Sequence, residues 1–80
     1  MPLASTVRYL EDGNWEKAHA SVQDDESPLG CWAHGIVHML EGDLENARYW
    51  YHKADRLFPE DMNAQTEISA LALVVSEAIK

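Results

Sequence analysis

Small residues at fixed spacing constrain this chain more than any other feature. In residues 31–59, CWAHGIVHMLEGDLENARYWYHKADRLFP, Gly35 is followed by Ala47, Tyr51, Ala54 and Pro59. Separations of three, four and seven place side chains on one face of a helix, so Ala47, Tyr51 and Ala54 face the same way. Gly35 and Ala47 then oppose each other across the Gly42 turn, where the missing side-chain bulk lets two backbones approach closely. Tyr51 fills the space beside them, and Pro59 marks the end of the second helix. The expectation is an antiparallel pair of helices nested at Gly35 and Ala47.

The turn occurs twice. LEDGNWEKA, from Leu10 to Ala18, has the outline of MLEGDLENA, from Met39 to Ala47, at an offset of twenty-nine residues. Gly13 matches Gly42, Trp15 matches Leu44, Glu16 matches Glu45 and Ala18 matches Ala47. In the same register Thr6 stands where the main hairpin has Gly35, and Val22 where it has Tyr51. The first unit is thus a degenerate copy with a second helix about one turn shorter.

These residues resemble the tetratricopeptide repeat (TPR), a helix-turn-helix unit of about thirty-four residues with a small residue in its first helix, then Ala, an aromatic, Ala and a closing Pro. Gly35, Ala47, Tyr51, Ala54 and Pro59 match residue for residue, while Cys31, His34 and His38 stand where the family usually carries Trp, Leu and Tyr, with Trp32 one position out of step. The resemblance implies an all-α fold, a right-handed superhelix of antiparallel helix hairpins with about five helices. One domain, 1–80, would then comprise a degenerate repeat over 1–26, the main repeat over 27–59 and a capping helix over 60–80. It also implies that first helices line the inner surface, so that Trp32, Ile36 and Met39, with Arg8 and Tyr9 of the first unit, border a shallow groove for a peptide or another helix. Such a groove is too small for an extended ligand, which limits it to weak binding or to binding as an oligomer.

Local signals set the expected boundaries. Leu3, Val7 and Leu10 share a face of a first helix over 3–11, which Asp12-Gly13-Asn14 stops. A second helix runs from Trp15 to Gln23, with Trp15, Ala18, His19 and Val22 at helical spacing. Asp24-Asp25-Glu26 reads as a solvated acidic linker. Ser27 and Pro28 read as an N-cap followed by proline at the first position of a third helix, which reaches Glu41. Asp43 caps a fourth helix expected to continue to Phe58. A fifth follows Pro59, acidic in its first turn and ending at Lys80, both favourable to the helix dipole. Its stripe is Ile68, Leu71, Val75 and Ala78/Ile79, and Leu73 and Val74 widen it beyond one contact face. In repeat arrays such a helix covers the last unit. The extra apolar surface, and the tendency of arrays to need about three units, leave self-association open.

Charge narrows the partners. Fourteen acidic residues against six basic ones give a net charge of −8, and the basic residues form no run. Nucleic acid and anionic membranes are therefore disfavoured, and a basic peptide is electrostatically easier. The single cysteine, Cys31, allows no internal disulfide and fits a reducing compartment; beside Trp32 on a buried helix it reads as a small core residue. No cleavable signal is visible at the start, and the most apolar stretch, Ile68 to Val75, is about half the length needed to span a bilayer. A cytoplasmic location is expected.

Histidine supplies the one constellation able to carry chemistry. His34 and His38, four apart on one helix, point the same way, the spacing by which a helix offers two metal ligands. His19 on the preceding helix is able to face them, with Asp24, Asp25 or Glu16 as oxygen donors, while His52 faces elsewhere. One reading is a zinc or other transition-metal site of His19, His34 and His38. The other is packed histidines whose ring nitrogens meet backbone carbonyls or Tyr and Asp partners, because His34 and His38 occupy places where the resembled family puts core side chains. Neither HExxH nor CxxC accompanies them.

In Tyr49-Trp50-Tyr51, successive side chains point about 100° apart, so the three rings cannot share one core. With Tyr51 packed inside, Tyr49 or Trp50 lies at a boundary or on the surface. Trp50 either packs on the fifth helix or contacts a ligand. No nucleophile accompanied by a base and an orienting acid is present, so no enzyme activity is expected. The reading is a small interaction or adaptor module for a protein or peptide, with no cofactor; the alternatives are a metal-binding protein and a self-associating structural subunit.

Overall fold

Four described residues have left-handed backbones, and three of them end helices: Gly13 (φ 74°), Gly42 (φ 89°) and Asp55 (φ 58°), while Met62 (φ 50°) lies in the linker before the last helix. In the computed structural model, which describes residues 2–78, the helices are α1 (Pro2–Glu11), α2 (Trp15–Val22), α3 (Pro28–Glu41), α4 (Leu44–Lys53) and α5 (Ala64–Ala78). No strand occurs among the described residues. Gly13, Gly42 and Asp55 each close a helix with the same pair of bonds, in which two successive backbone N–H groups reach back to carbonyls of the last turn. Asn14 N–H donates to the Tyr9 carbonyl at 2.8 Å, Asp43 N–H to that of His38 at 2.9 Å, and Arg56 N–H to that of Tyr51 at 3.0 Å.

The third of these closures shortens the fourth helix. α4 stops at Lys53 rather than reaching Phe58, because Asp55 takes the left-handed conformation that glycine supplies in the other two. Aspartate is among the few side chains that tolerate it, at a cost of about 1–2 kcal/mol. A linker over residues 54–63 follows, and α5 starts at Ala64, with Asn63 Oδ1 accepting from Thr66 N–H at 3.2 Å. The expected helix over the whole of 60–80 is thus late by four residues, and its anticipated terminal residues, Ile79 and Lys80, lie outside the described residues. The other starts follow the sequence. Asn14, Ser27 and Asp43 accept from backbone N–H groups of Lys17, Gly30 and Asn46, satisfying donors that a helix start leaves open.

α1 packs on α2, α2 on α3, and α3 on α4. α3 lies in the middle, with every residue from Gly30 to Met39 buried. Its partner α4 is seated by Gly35, where an added Cβ would lie 2.5 Å from Tyr51 Cδ1 and 3.3 Å from the Ala47 carbonyl oxygen. In the first hairpin the corresponding Thr6 is fully buried and its hydroxyl meets that of Ser21 at 2.6 Å, while Val22, matching Tyr51, is also fully buried.

α5 covers the main unit through α3 and extends over α1 as well. It lies across α1 and α3, the first helices of both hairpins, and not against α4. Ile68, Leu71 and Val75 are its buried stripe. Glu67 fixes its start: one carboxylate oxygen accepts from Trp32 Nε1–H at 3.1 Å and from the Tyr51 hydroxyl at 2.7 Å. Burial, followed by that carboxylate, pushes the Tyr51 hydroxyl well above the ordinary tyrosine range.

The glycine contact yields a sharp expectation. Gly35→Ala gains up to about 1 kcal/mol in helix propensity but forces a methyl into a Tyr51 ring held by Glu67, an overpacking typically worth about 1–3 kcal/mol. Urea unfolding of this variant is expected to show a net loss of stability; an unchanged or higher midpoint would mean that Tyr51 yields freely.

Candidate metal centre

α2 and α3 bring together the three histidines singled out in the sequence. The i, i+4 relation aligns His34 and His38 along α3, and α2 carries His19 to the same place. Ring centroids are 4.7 Å apart for His19 and His34, 5.4 Å for His19 and His38, and 5.0 Å for His34 and His38. One potential ligand atom from each lies within 4.8 Å of the others. Three nitrogens on a tetrahedral zinc are separated by roughly 3.4 Å, so closure needs movements of about 1.5 Å at most. His34 and His38 are buried and His19 half-buried.

His34 is the unusual member. Only 4% of it is exposed, and its Nδ1 is buried without a hydrogen-bond partner. Leaving such an atom unpaired costs about 1–3 kcal/mol. Burial first, then the neighbouring His19, His38 and Lys53, lowers its pKa from 6.5 to about 4. The ring is therefore neutral at pH 7, as a metal ligand must be.

Three further side chains build the site that the sequence reading did not include. The Trp50 ring stacks on His34 with centroids 3.8 Å apart and planes 9° from parallel, and Lys53 Nζ lies 4.7 Å from the centre of the Trp50 ring. Trp50 thus walls the histidines instead of packing on α5, and Tyr49 is the outward-facing aromatic, 54% exposed. Glu41 Oε1 lies 2.9 Å from His38 Nδ1. Its position three residues beyond His38 was a usable signal, since i and i+3 are neighbours on a helix; nothing local pairs Trp50 with His34. The acids proposed as oxygen donors, Glu16, Asp24 and Asp25, do not join the group. The Asp25 carboxylate instead lies against Gly30, where its Oδ1 accepts from Ser27 N–H at 2.9 Å. His52 is exposed on α4.

The other expected site is closed. Trp32 and Ile36 are fully buried and Met39 is 8% exposed, because α5 covers the face of α1 and α3 on which a ligand would lie. The Arg56 guanidinium lies 3.4 Å from the centre of the Trp32 ring, adding a cation–π contact. Of the five residues named for the groove, Arg8 is exposed and Tyr9 half-buried, bordering a surface depression with Ala4 and Ser5. Cys31 is buried in the core, and burial raises its thiol pKa, consistent with a packing role.

No helix among the described residues is long and apolar enough to cross a membrane. Compared with protein family models, curated proteins and solved structures, the chain matches none.

The depressed His34 pKa has a definite sign in the metal-free protein. Between pH 6.5 and about 4 the unfolded chain binds this proton and the folded chain does not, so stability falls with acidification across that window and levels off below it. His34→Leu removes both the titration and the unpaired nitrogen. Urea midpoints at pH 7.5 and 4.5 should differ less in His34→Leu than in the unsubstituted protein; equal losses would assign the acid sensitivity to other groups.

Proposed function

We propose that the protein is a metal-binding helical domain in which His19, His34 and His38 hold zinc or another late first-row divalent ion. The observation that carries this reading is the convergence of His19 and His38 on the buried His34, whose Nδ1 has no partner. Coordination through Nδ1 would give that buried nitrogen a partner, and the lowered basicity of His34 reduces proton competition. Imidazole donors suit zinc, copper, nickel and cobalt, whereas magnesium and calcium take oxygen ligands. The scaffold is read as two TPR-like hairpins in a right-handed superhelix, supported by the nesting of Gly35 on Tyr51 and by the repeated turn at Gly13 and Gly42. No catalytic role is assigned.

Calorimetric titration of the metal-free protein with zinc is expected to give one site, and a hundredfold excess of free zinc over Kd should stabilise the fold by about 2.7 kcal/mol. Magnesium should do neither. His19→Ala and His38→Ala should each weaken zinc binding at least tenfold. Absence of heat together with an unchanged melting temperature removes the metal reading.

A second reading, a self-associating or protein-binding module, is favoured by the outer face of α5, where Leu73 is 64% and Val74 37% exposed. Leu73 points away from the buried stripe and Val74 flanks it, a location suited to a second copy or a protein partner, and the net charge of −8 favours a basic one. Light scattering should then show an oligomer that Leu73→Lys converts to monomer. A monomer at all accessible concentrations withdraws self-association.

A further inference from the structure

The carboxylates nearest the histidines do not complete their shell. Glu41 and Asp43 gather with His38 alone, in a second group separate from His19 and His34. Cys31, although on α3, belongs to neither group. Among the described residues the three-histidine cluster therefore has no fourth protein donor beside it. His38 is the shared member. Its Nδ1 faces Glu41 Oε1 at 2.9 Å, which leaves Nε2 as the nitrogen free for a metal. A histidine ligand generally donates its second N–H to a carboxylate or carbonyl, fixing the tautomer and the ring.

Resting on the metal-binding reading, we infer that Glu41 positions His38 from outside the coordination shell and that the metal keeps an exchangeable fourth site, held by water and open to a small anion. Were Glu41 to turn inward and ligate, His38 Nδ1–H would lose its acceptor. Three protein ligands plus one exchangeable position is the arrangement by which zinc sites bind and release small molecules, as opposed to the closed four-ligand sites that only brace a fold. Trp50 supports this arrangement. Stacked on His34 at 3.8 Å, it restrains that ring from one side while contributing no donor to the metal, since an indole offers only an N–H.

Cobalt(II) reports coordination number through its visible absorption, and azide is a small anion that enters open positions. The full chain loaded with cobalt(II) is expected to change its visible spectrum on saturation with azide. Glu41→Ala should weaken cobalt binding about 10–100-fold while leaving the azide response. Glu41→Gln, whose amide oxygen still accepts from Nδ1–H, should recover part of that loss. Glu41 is exposed, so the metal-free melting temperatures of both variants should stay close to that of the unsubstituted protein. A cobalt spectrum indifferent to azide, which becomes responsive only when Glu41 is replaced, would make Glu41 the fourth ligand and overturn the inference while leaving the metal site standing. Unaltered cobalt affinity in Glu41→Ala would overturn the positioning role. No cobalt spectrum at all, in a protein that also ignores zinc, would remove the metal-binding reading itself.

Discussion

The contact of Gly35 with Tyr51 is the constraint from which the rest of the molecule follows. With no Cβ in the way, the Tyr51 ring occupies the space over α3, and α4 settles against the main hairpin's first helix. Two consequences diverge from that ring. Its hydroxyl reaches Glu67 and so fixes where α5 begins, beside Trp32. The preceding residue, Trp50, is turned about 100° around the helix and lands on His34, the residue before Gly35. A single close approach between backbones therefore sets both the closing helix and one wall of the histidine cluster.

α5 changes what the hairpins can do. By lying across α1 and α3 it takes the surface that a peptide would otherwise use, and it buries Trp32, Ile36 and Met39. Its grip combines an apolar stripe with a polar anchor. Glu67 accepts two hydrogen bonds at one oxygen, and Arg56 covers the Trp32 ring from the linker side. In an eighty-residue chain with little core to spare, using the fifth helix in this way raises the buried apolar area of α3 at the expense of an open groove. The face of α5 that remains outward carries Leu73 and Val74, so apolar surface has been moved from the groove to the outside of the molecule.

The histidines run against the logic of a small core. Leucine at position 34 would fill similar space with no polar atom to satisfy, yet the chain keeps a buried imidazole with one unpaired nitrogen and stacks tryptophan upon it. Departures of this kind from full polar satisfaction tend to mark functional positions. The neighbouring His38 is treated differently, with a carboxylate supplied for its outer nitrogen. Two adjacent members of one cluster thus have opposite surroundings, one without a partner for its buried nitrogen and one held by a carboxylate.

Local chemistry made much of this legible in the residues alone. The turns at Gly13 and Gly42 and the caps at Asn14, Ser27 and Asp43 rest on side chains acting within a few positions of themselves, and helical periodicity joined to those short turns carries the nesting of Gly35 and the meeting of three histidines. The end of α4 did not yield to the same reasoning, because Asp55 adopts a backbone that glycine usually announces and sterics alone do not forbid it to aspartate. The path of α5 was undetermined for a different reason. Its stripe of Ile68, Leu71 and Val75 shows that one face must be buried but carries no information about which surface receives it; that choice was made by Glu67 meeting Trp32 and Tyr51, residues thirty-five and sixteen positions away. Trp50 on His34 is likewise a contact between helices whose partners share no local pattern. Sequence determined the helices, their hairpins and the candidate ligands. Tertiary packing decided that the groove is filled, which aromatic faces the histidines and which carboxylate stands beside them, because those outcomes depend on where separate elements come to rest against one another.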